Sequence, residues 1–150
     1  MPVTGKPRSI GMLCGALLLA ASCSRAASDY EPIVDLKEFM NSVIEPASED
    51  IFDAAVWVNG ELVGAPQSEE DWAHLRGHAI ALAEVASLLK LPQRAKDQAG
   101  WMVRTQAMID AAIAARQAAE AKNQDGVFQA GNALYSSCEA CHQLYAPNIR

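Results

Sequence analysis

Apolar residues recur along most of the chain at intervals of three and four positions, the spacing of one face of an α-helix. The first stripe covers residues 33–44, and Pro46 should kink or end that helix. A second stripe covers residues 72–89, behind a start at residues 68–71 that resembles a capping box. These patterns predict two amphipathic helices in the first half of the chain.

Two further helices are predicted in the second half, over about residues 98–122 and from the turn-forming residues 123–126 to Pro147. Between the first two helices, Asn59-Gly60 lies between short β-prone runs and indicates a small hairpin or loop. Four helices joined by mostly short links predict an all-α fold, an antiparallel four-helix bundle over residues 33–150.

Composition agrees with helices and argues against one class of partner. Hydrophobic residues make up 51% of the chain but aromatic residues only 6%, and alanine is abundant, which favours helix over sheet. The formal net charge is −6 and the basic residues form no block, so nucleic acid is not expected as a partner.

The N-terminus has the pattern of an export signal. Lys6 and Arg8 precede an apolar run from Ile10 to Ala21, which small residues follow. A charged start, a short apolar stretch and a small-residue exit are typical of a secretory signal peptide, here residues 1–22. The protein is therefore expected in the periplasm, and the polar residues 23–32 are interpreted as a tether.

Two alternative cleavage positions for the signal peptide are consistent with the sequence. Residues 19–23 resemble a lipobox, in which cleavage precedes Cys23 and a lipid on that cysteine anchors the protein to the membrane. Ala20 stands where such motifs usually carry leucine. The second interpretation is ordinary cleavage after Ala26 or Ala27.

A motif near the C-terminus, Cys138-Glu139-Ala140-Cys141-His142, has three chemical interpretations. A redox dithiol would require the cysteines at a helix N-terminus beside a sheet, and neither is predicted. Zinc would require a further ligand, and the adjacent Cys141 and His142 make joint tetrahedral ligation awkward. His74 and His78, four residues apart, would share one helix face.

Covalent haem fits every part of the motif, which is the signature of c-type haem attachment. On a helix, Cys138 and Cys141 lie nearly one turn apart, so both thiols reach one edge of a porphyrin. His142 lies one turn beyond Cys138 and projects toward the same ligand, where it would bind the iron. The prediction is one haem c, held by two thioethers, in an exported protein.

A helical bundle with this motif near its end, followed by Tyr145, resembles the class II cytochromes c, the cytochrome c′ family. The resemblance spans roughly residues 33–145 and implies that Met40 occupies the position of the distal ligand in some members. The other interpretation of Met40 is core packing. Weaker distal candidates are Met102, Met108, His74 and His78. Members often pair, which implies a homodimer.

The predicted function is one-electron transfer without enzymatic activity, to a redox partner whose basic docking patch would suit the acidic surface. Two alternatives are a five-coordinate haem that binds nitric oxide or carbon monoxide, and a haem-bearing accessory subunit of a membrane redox complex. High-spin relatives commonly carry an arginine on the first helix and a basic residue after the motif. This chain has Leu36 and Ala146-Pro147 there, which counts against gas binding.

Overall fold

A computed structural model of the 150-residue chain describes Met1 and residues 30–148. The predicted signal peptide, apart from Met1, lies outside the described residues. Cys23, the candidate lipidation site, and most of the tether also lie outside them. Among the described residues, no helix is long and apolar enough to cross a membrane.

The described chain is mostly helical, so the predicted all-α class is confirmed at that level. A π-helical turn, Met40–Ile44, joins α1 to α2, and a 3₁₀ turn, Leu88–Lys90, extends α3. Residues 30–148 contain five α-helices: α1 (Leu36–Phe39), α2 (Glu45–Asp53), α3 (Glu69–Ser87), α4 (Gly100–Glu120) and α5 (Gln124–Tyr145).

The first helical segment, residues 36–53, differs from the predicted one at both ends of its stripe. Ile33 is 95% exposed and precedes the helix, which begins after Asp35 caps the N–H of Glu38. Pro46 does not end the helix. Its missing N–H and its ring are incompatible with a regular α-helical turn, and the chain widens just before it, where the Glu45 N–H bonds to the Met40 carbonyl five residues back.

Helix α3 forms as the sequence predicts. The Ser68 side chain accepts a hydrogen bond from the Asp71 N–H, and the Asp71 carboxylate accepts from the Ser68 N–H, which completes a capping box. The Gln67 N–H also donates to the Asp71 carboxylate. This bond lowers the pKa of Asp71 most, and the bonds with Ser68 lower it further. The predicted apolar stripe is buried at Leu75, Ala79, Leu82, Ala86 and Leu89.

The predicted hairpin is confirmed. Strands β1 (Val56–Val58) and β2 (Glu61–Val63) pair antiparallel, with Val56 opposite Val63. The turn places Asn59 at φ 53° and Gly60 at φ 84°, and two consecutive positive φ angles are those of the tight turn that Asn-Gly favours. The hairpin lies at the surface, with Trp57 half exposed.

Helix α3 packs against α4, α4 packs against α5, and α2 contacts both α3 and α5. Glu69 at the start of α3 forms an ion pair with Lys122, just after α4. The Trp101 ring N–H, at the start of α4, donates to the Leu89 carbonyl at 2.6 Å. The core between these helices is rich in alanine, which lets them approach closely.

Candidate functional site

A cavity of about 630 Å³ opens between the first helical segment, α4 and α5. Its volume lies within the range of about 300–1,000 Å³ that is typical of cofactor and ligand sites. The four residues of the main haem prediction, which come from opposite ends of the described chain, line it together: Met40, Cys138, Cys141 and His142.

Helix α5 presents its three motif residues on one face because they stand at i, i+3 and i+4. Cys138, Cys141 and His142 are each partly buried against the core, and one turn further Tyr145 extends the same face. Neither cysteine of the motif is in a disulfide. Both thiols are therefore available at the cavity wall.

The electrostatics of the two thiols argue against a redox dithiol. Burial raises the pKa of Cys138, and burial together with the neighbouring Cys138 raises that of Cys141. Reactive dithiols depend on a lowered pKa, commonly at a helix N-terminus. Here the pair lies in the last turns of a 22-residue helix, where the macrodipole disfavours a thiolate.

The structure also gives no support to a zinc site at this motif. Among residues 30–148, the motif residues are not part of any group of three whose ligand atoms converge closely enough to hold a metal ion. His74 and His78, the predicted helix pair, do not line the cavity. Zinc at the motif would therefore lack its remaining ligands.

The π-helical turn keeps one side of the first helical segment on the cavity. Leu36, Met40, Ile44, Ser48 and Phe52 all line it, each four residues after the last. In a regular α-helix, at about 100° per residue, that spacing would turn the last of them about 160° away from the first. The extra residue in the π turn removes about 100° of this rotation, so both halves of the segment face the cavity.

Met40 is the first residue of this π turn and is partly buried. A second methionine, Met108 of α4, is buried and also lines the cavity. Met102 does not line it. Of the predicted distal candidates, Met40 and Met108 are thus brought to the site, while Met102 and the two histidines are not.

A buried arginine fixes the residue next to Met40. The Arg94 guanidinium carbon lies 4.0 Å from the centre of the Phe39 ring, within the range of a cation–π contact. Its Nη2 donates to the Tyr30 hydroxyl at 3.2 Å, and Arg94 is only 5% exposed. The loop before α4 therefore holds the start of the first helical segment in place.

Three cationic side chains that the sequence pattern did not single out also line the cavity: Lys37, Lys96 and Arg104. Arg104 is held in position because its Nε donates to the Ala140 carbonyl of α5 at 3.0 Å. The three residues belong to α1, the α3–α4 loop and α4, and Lys37 lies about 60 residues before Lys96 in the chain. No local sequence signal could have grouped them, because only tertiary packing does so.

Aromatic side chains form much of the remaining wall. Trp101, 4% exposed, meets the Tyr145 ring edge to face at a centroid distance of 5.1 Å, and Phe52 meets Tyr135 at 6.5 Å. Trp72 and Phe128 do not line the cavity. Phe128 instead contacts Trp57 of the hairpin.

No family model, curated protein or solved structure matches the chain. The residues around the cavity therefore supply the grounds for a function.

Proposed function

We propose that this protein is a periplasmic c-type cytochrome that carries one haem c, bound through Cys138 and Cys141, and transfers single electrons. The observation that carries the proposal is the cavity itself. It joins a Cys-x-x-Cys-His face on α5 with Met40, about 100 residues earlier in the chain.

The fold that accompanies this proposal is an antiparallel four-helix bundle made of the first helical segment, α3, α4 and α5. The ion pair of Glu69 with Lys122 supports it, because it joins the start of α3 to the end of α4. The contact of Trp101 with Tyr145 likewise joins the start of α4 to the end of α5. Such bundles commonly build cofactor sites between facing helices.

The lining of the cavity fits a haem. Apolar and aromatic walls suit a large flat macrocycle, and Lys37, Lys96 and Arg104 suit its two carboxylate groups. When bound, haem supplies reversible one-electron chemistry at its iron. The thiols of Cys138 and Cys141 would be consumed as thioethers, which accounts for a lone cysteine pair in an exported protein.

His142 would hold the iron through one ring nitrogen, since it shares the face of the two cysteines. Met40 would supply its thioether sulfur as the second ligand, and methionine–histidine ligation raises the reduction potential. Arg94, packed on Phe39, would keep Met40 in register. With His142 and Met40 both holding the group, the site would supply electron exchange and leave no place for a substrate.

The acidic chain, at a net charge of −6, favours a redox partner with a basic docking patch through weak, salt-sensitive association.

The alternative function, binding of nitric oxide or carbon monoxide, would require an open or displaceable position in place of Met40. Carbon monoxide distinguishes the two functions. A reduced spectrum that it leaves unchanged supports electron transfer, and one that it shifts supports gas binding.

The haem itself is tested by the double variant Cys138→Ser, Cys141→Ser, expressed with its own leader. Without either thiol no thioether can form, so we expect covalent haem staining on a denaturing gel to disappear. Ser136→Ala is the matched control, because Ser136 is exposed on the same helix and its hydroxyl donates to the Asn132 carbonyl within that helix. It should stain like the natural chain.

Covalent haem that persists in the double variant would overturn the proposal. So would a purified natural protein that contains zinc and no iron by elemental analysis, because that result favours the zinc interpretation of the motif.

A further inference from the structure

Three side chains that the proposed haem site does not use meet on the other side of the first helical segment. Asp50 of α2 pairs with His78 of α3 through Oδ2 and Nδ1. The other ring nitrogen of His78, Nε2, lies 3.1 Å from Nε2 of His74, one turn earlier on the same helix. Among residues 30–148, these are the side chains whose ligand atoms converge closely enough to hold a metal ion.

The contact with Asp50 determines which nitrogen of His78 has a lone pair. An ionised carboxylate only accepts hydrogen bonds, so the Nδ1 that faces Asp50 carries the proton. Nε2 of neutral His78 is then unprotonated and directed at His74. A carboxylate behind a histidine in this way is the common means of orienting a metal ligand.

The separation of the two imidazole Nε2 atoms matches that of two nitrogens bound to one metal ion. Two nitrogens bound tetrahedrally to zinc, each at 2.0–2.1 Å, lie about 3.3 Å apart. The observed separation of the Nε2 atoms of His74 and His78 is 3.1 Å, with ring centroids 4.2 Å apart. A single cation can therefore replace the hydrogen bond between the rings with little movement.

The surroundings suit a cation and leave it accessible. The side chains of His78 and Asp50 are 34% and 39% exposed. A second cavity, of about 380 Å³, adjoins the group and is lined by Asp50, His74, Asp53 and Asp71. The Asp71 carboxylate is occupied by the capping box, but it and Asp53 add negative charge. Water could complete the coordination from this side.

We propose that Asp50, His74 and His78 form a surface site for a late first-row divalent cation, separate from the haem cavity. Both histidines bind through Nε2, and Asp50 is the positioning residue that orients His78. Imidazole nitrogens favour zinc and copper over magnesium or calcium. Because Asp50 belongs to α2 and the histidines to α3, the bound cation also links these two helices.

Titration calorimetry of the haem-loaded protein with Zn²⁺ near neutral pH tests the site. We expect one equivalent to bind, and His74→Ala or His78→Ala to weaken binding more than the roughly 10–100-fold expected of Asp50→Asn. Glu84→Gln is the matched control, because it removes one exposed carboxylate from α3 away from the group. Mg²⁺ should produce no heat.

The role of Asp50 has its own readout. In metal-free protein, the ¹⁵N chemical shifts of His78 should report a proton on Nδ1. Asp50→Asn should shift that proton toward Nε2, without lowering the unfolding temperature of the protein as followed by haem absorbance. Zinc binding that survives in both histidine variants would overturn the proposal, whatever the state of the haem site. Binding no stronger than millimolar in the natural protein would overturn it as well.

Discussion

Tyr145, the last residue of α5, ties the end of that helix to the segment before α4. Its hydroxyl donates to Asp97, whose carboxylate also accepts from the N–H groups of Ala99 and Trp101. The hydrogen bond from Tyr145 is the main cause that lowers the pKa of Asp97, and the same bond raises the pKa of Tyr145. Since Tyr145 lines the cavity, this tie also fixes one wall of the site.

Replacing Tyr145 by Phe should make stability less dependent on pH. The folded pKa of Asp97 is lowered, so the bond stabilises above the unfolded value of about 4 and is lost as pH falls through the folded one. The pKa of Tyr145 is raised above its usual value of about 10, so the stabilisation by this bond is also lost as pH rises through the folded pKa of Tyr145. The free energies of unfolding of the two proteins in urea should differ at pH 7 and converge as pH falls below the folded pKa of Asp97. A difference that does not change with pH would contradict the assignment.

Met40 is the residue on which the proposed redox function depends. Met40→Ala should remove the proposed second ligand of the haem, because alanine has no sulfur to bind iron. We expect the low-spin reduced spectrum to become high-spin and to respond to carbon monoxide. Met102→Ala is the control, since Met102 does not line the cavity. An unchanged spectrum in the Met40 variant, with conversion in Met108→Ala instead, would assign the ligand to α4.

At the scale of elements, α4 is the central helix and packs through small side chains. It contacts both α3 and α5. Its buried face carries five alanines that are at most 8% exposed: Ala111, Ala112, Ala115, Ala118 and Ala119. Small residues bring helix axes close together, so the position of the cysteine-bearing α5 depends on this face.

Ala115→Leu should strain this packing. Ala115 is fully buried, and extra methylenes in a close-packed interior typically cost about 1–3 kcal/mol of the free energy of unfolding. Ala114 is exposed, so Ala114→Leu adds the same atoms to the solvent face and should change stability by less than about 0.5 kcal/mol. Denaturant unfolding of the two variants checks the difference. Equal stability would show that the helices can move apart at no cost.

For the whole molecule, the sequence was most informative where local chemistry decides the structure. Asn59-Gly60 predicted the hairpin because few residue pairs tolerate two positive φ angles. Ser68 and Asp71 predicted the start of α3 through their mutual hydrogen bonds. The i, i+3, i+4 spacing predicted the shared face of the α5 motif, although only the resemblance to a family suggested Met40 as its counterpart.

Other features could not be predicted because they depend on packing between distant segments. The cationic lining brings Lys37, Lys96 and Arg104 together from three elements, and Asp50 meets His78 across two helices. The helical period predicted a stripe over residues 33–44 and a kink or an end of the helix at Pro46. The chain instead begins the helix three residues later and continues past Pro46, which lies in the first turn of α2 directly after the π turn.

That π turn affects how such a chain can change over generations. It holds one residue more than the α-helical turn it replaces, so deleting one residue from it would remove the widened turn, although Pro46 would still have no N–H to donate. Everything before the deletion would then rotate by about 100° relative to α2, which would carry Leu36 away from the cavity while Phe52 stayed. Length variation within Met40–Ile44, and not only substitution of Met40, is therefore a genetic route to a different lining of this cavity.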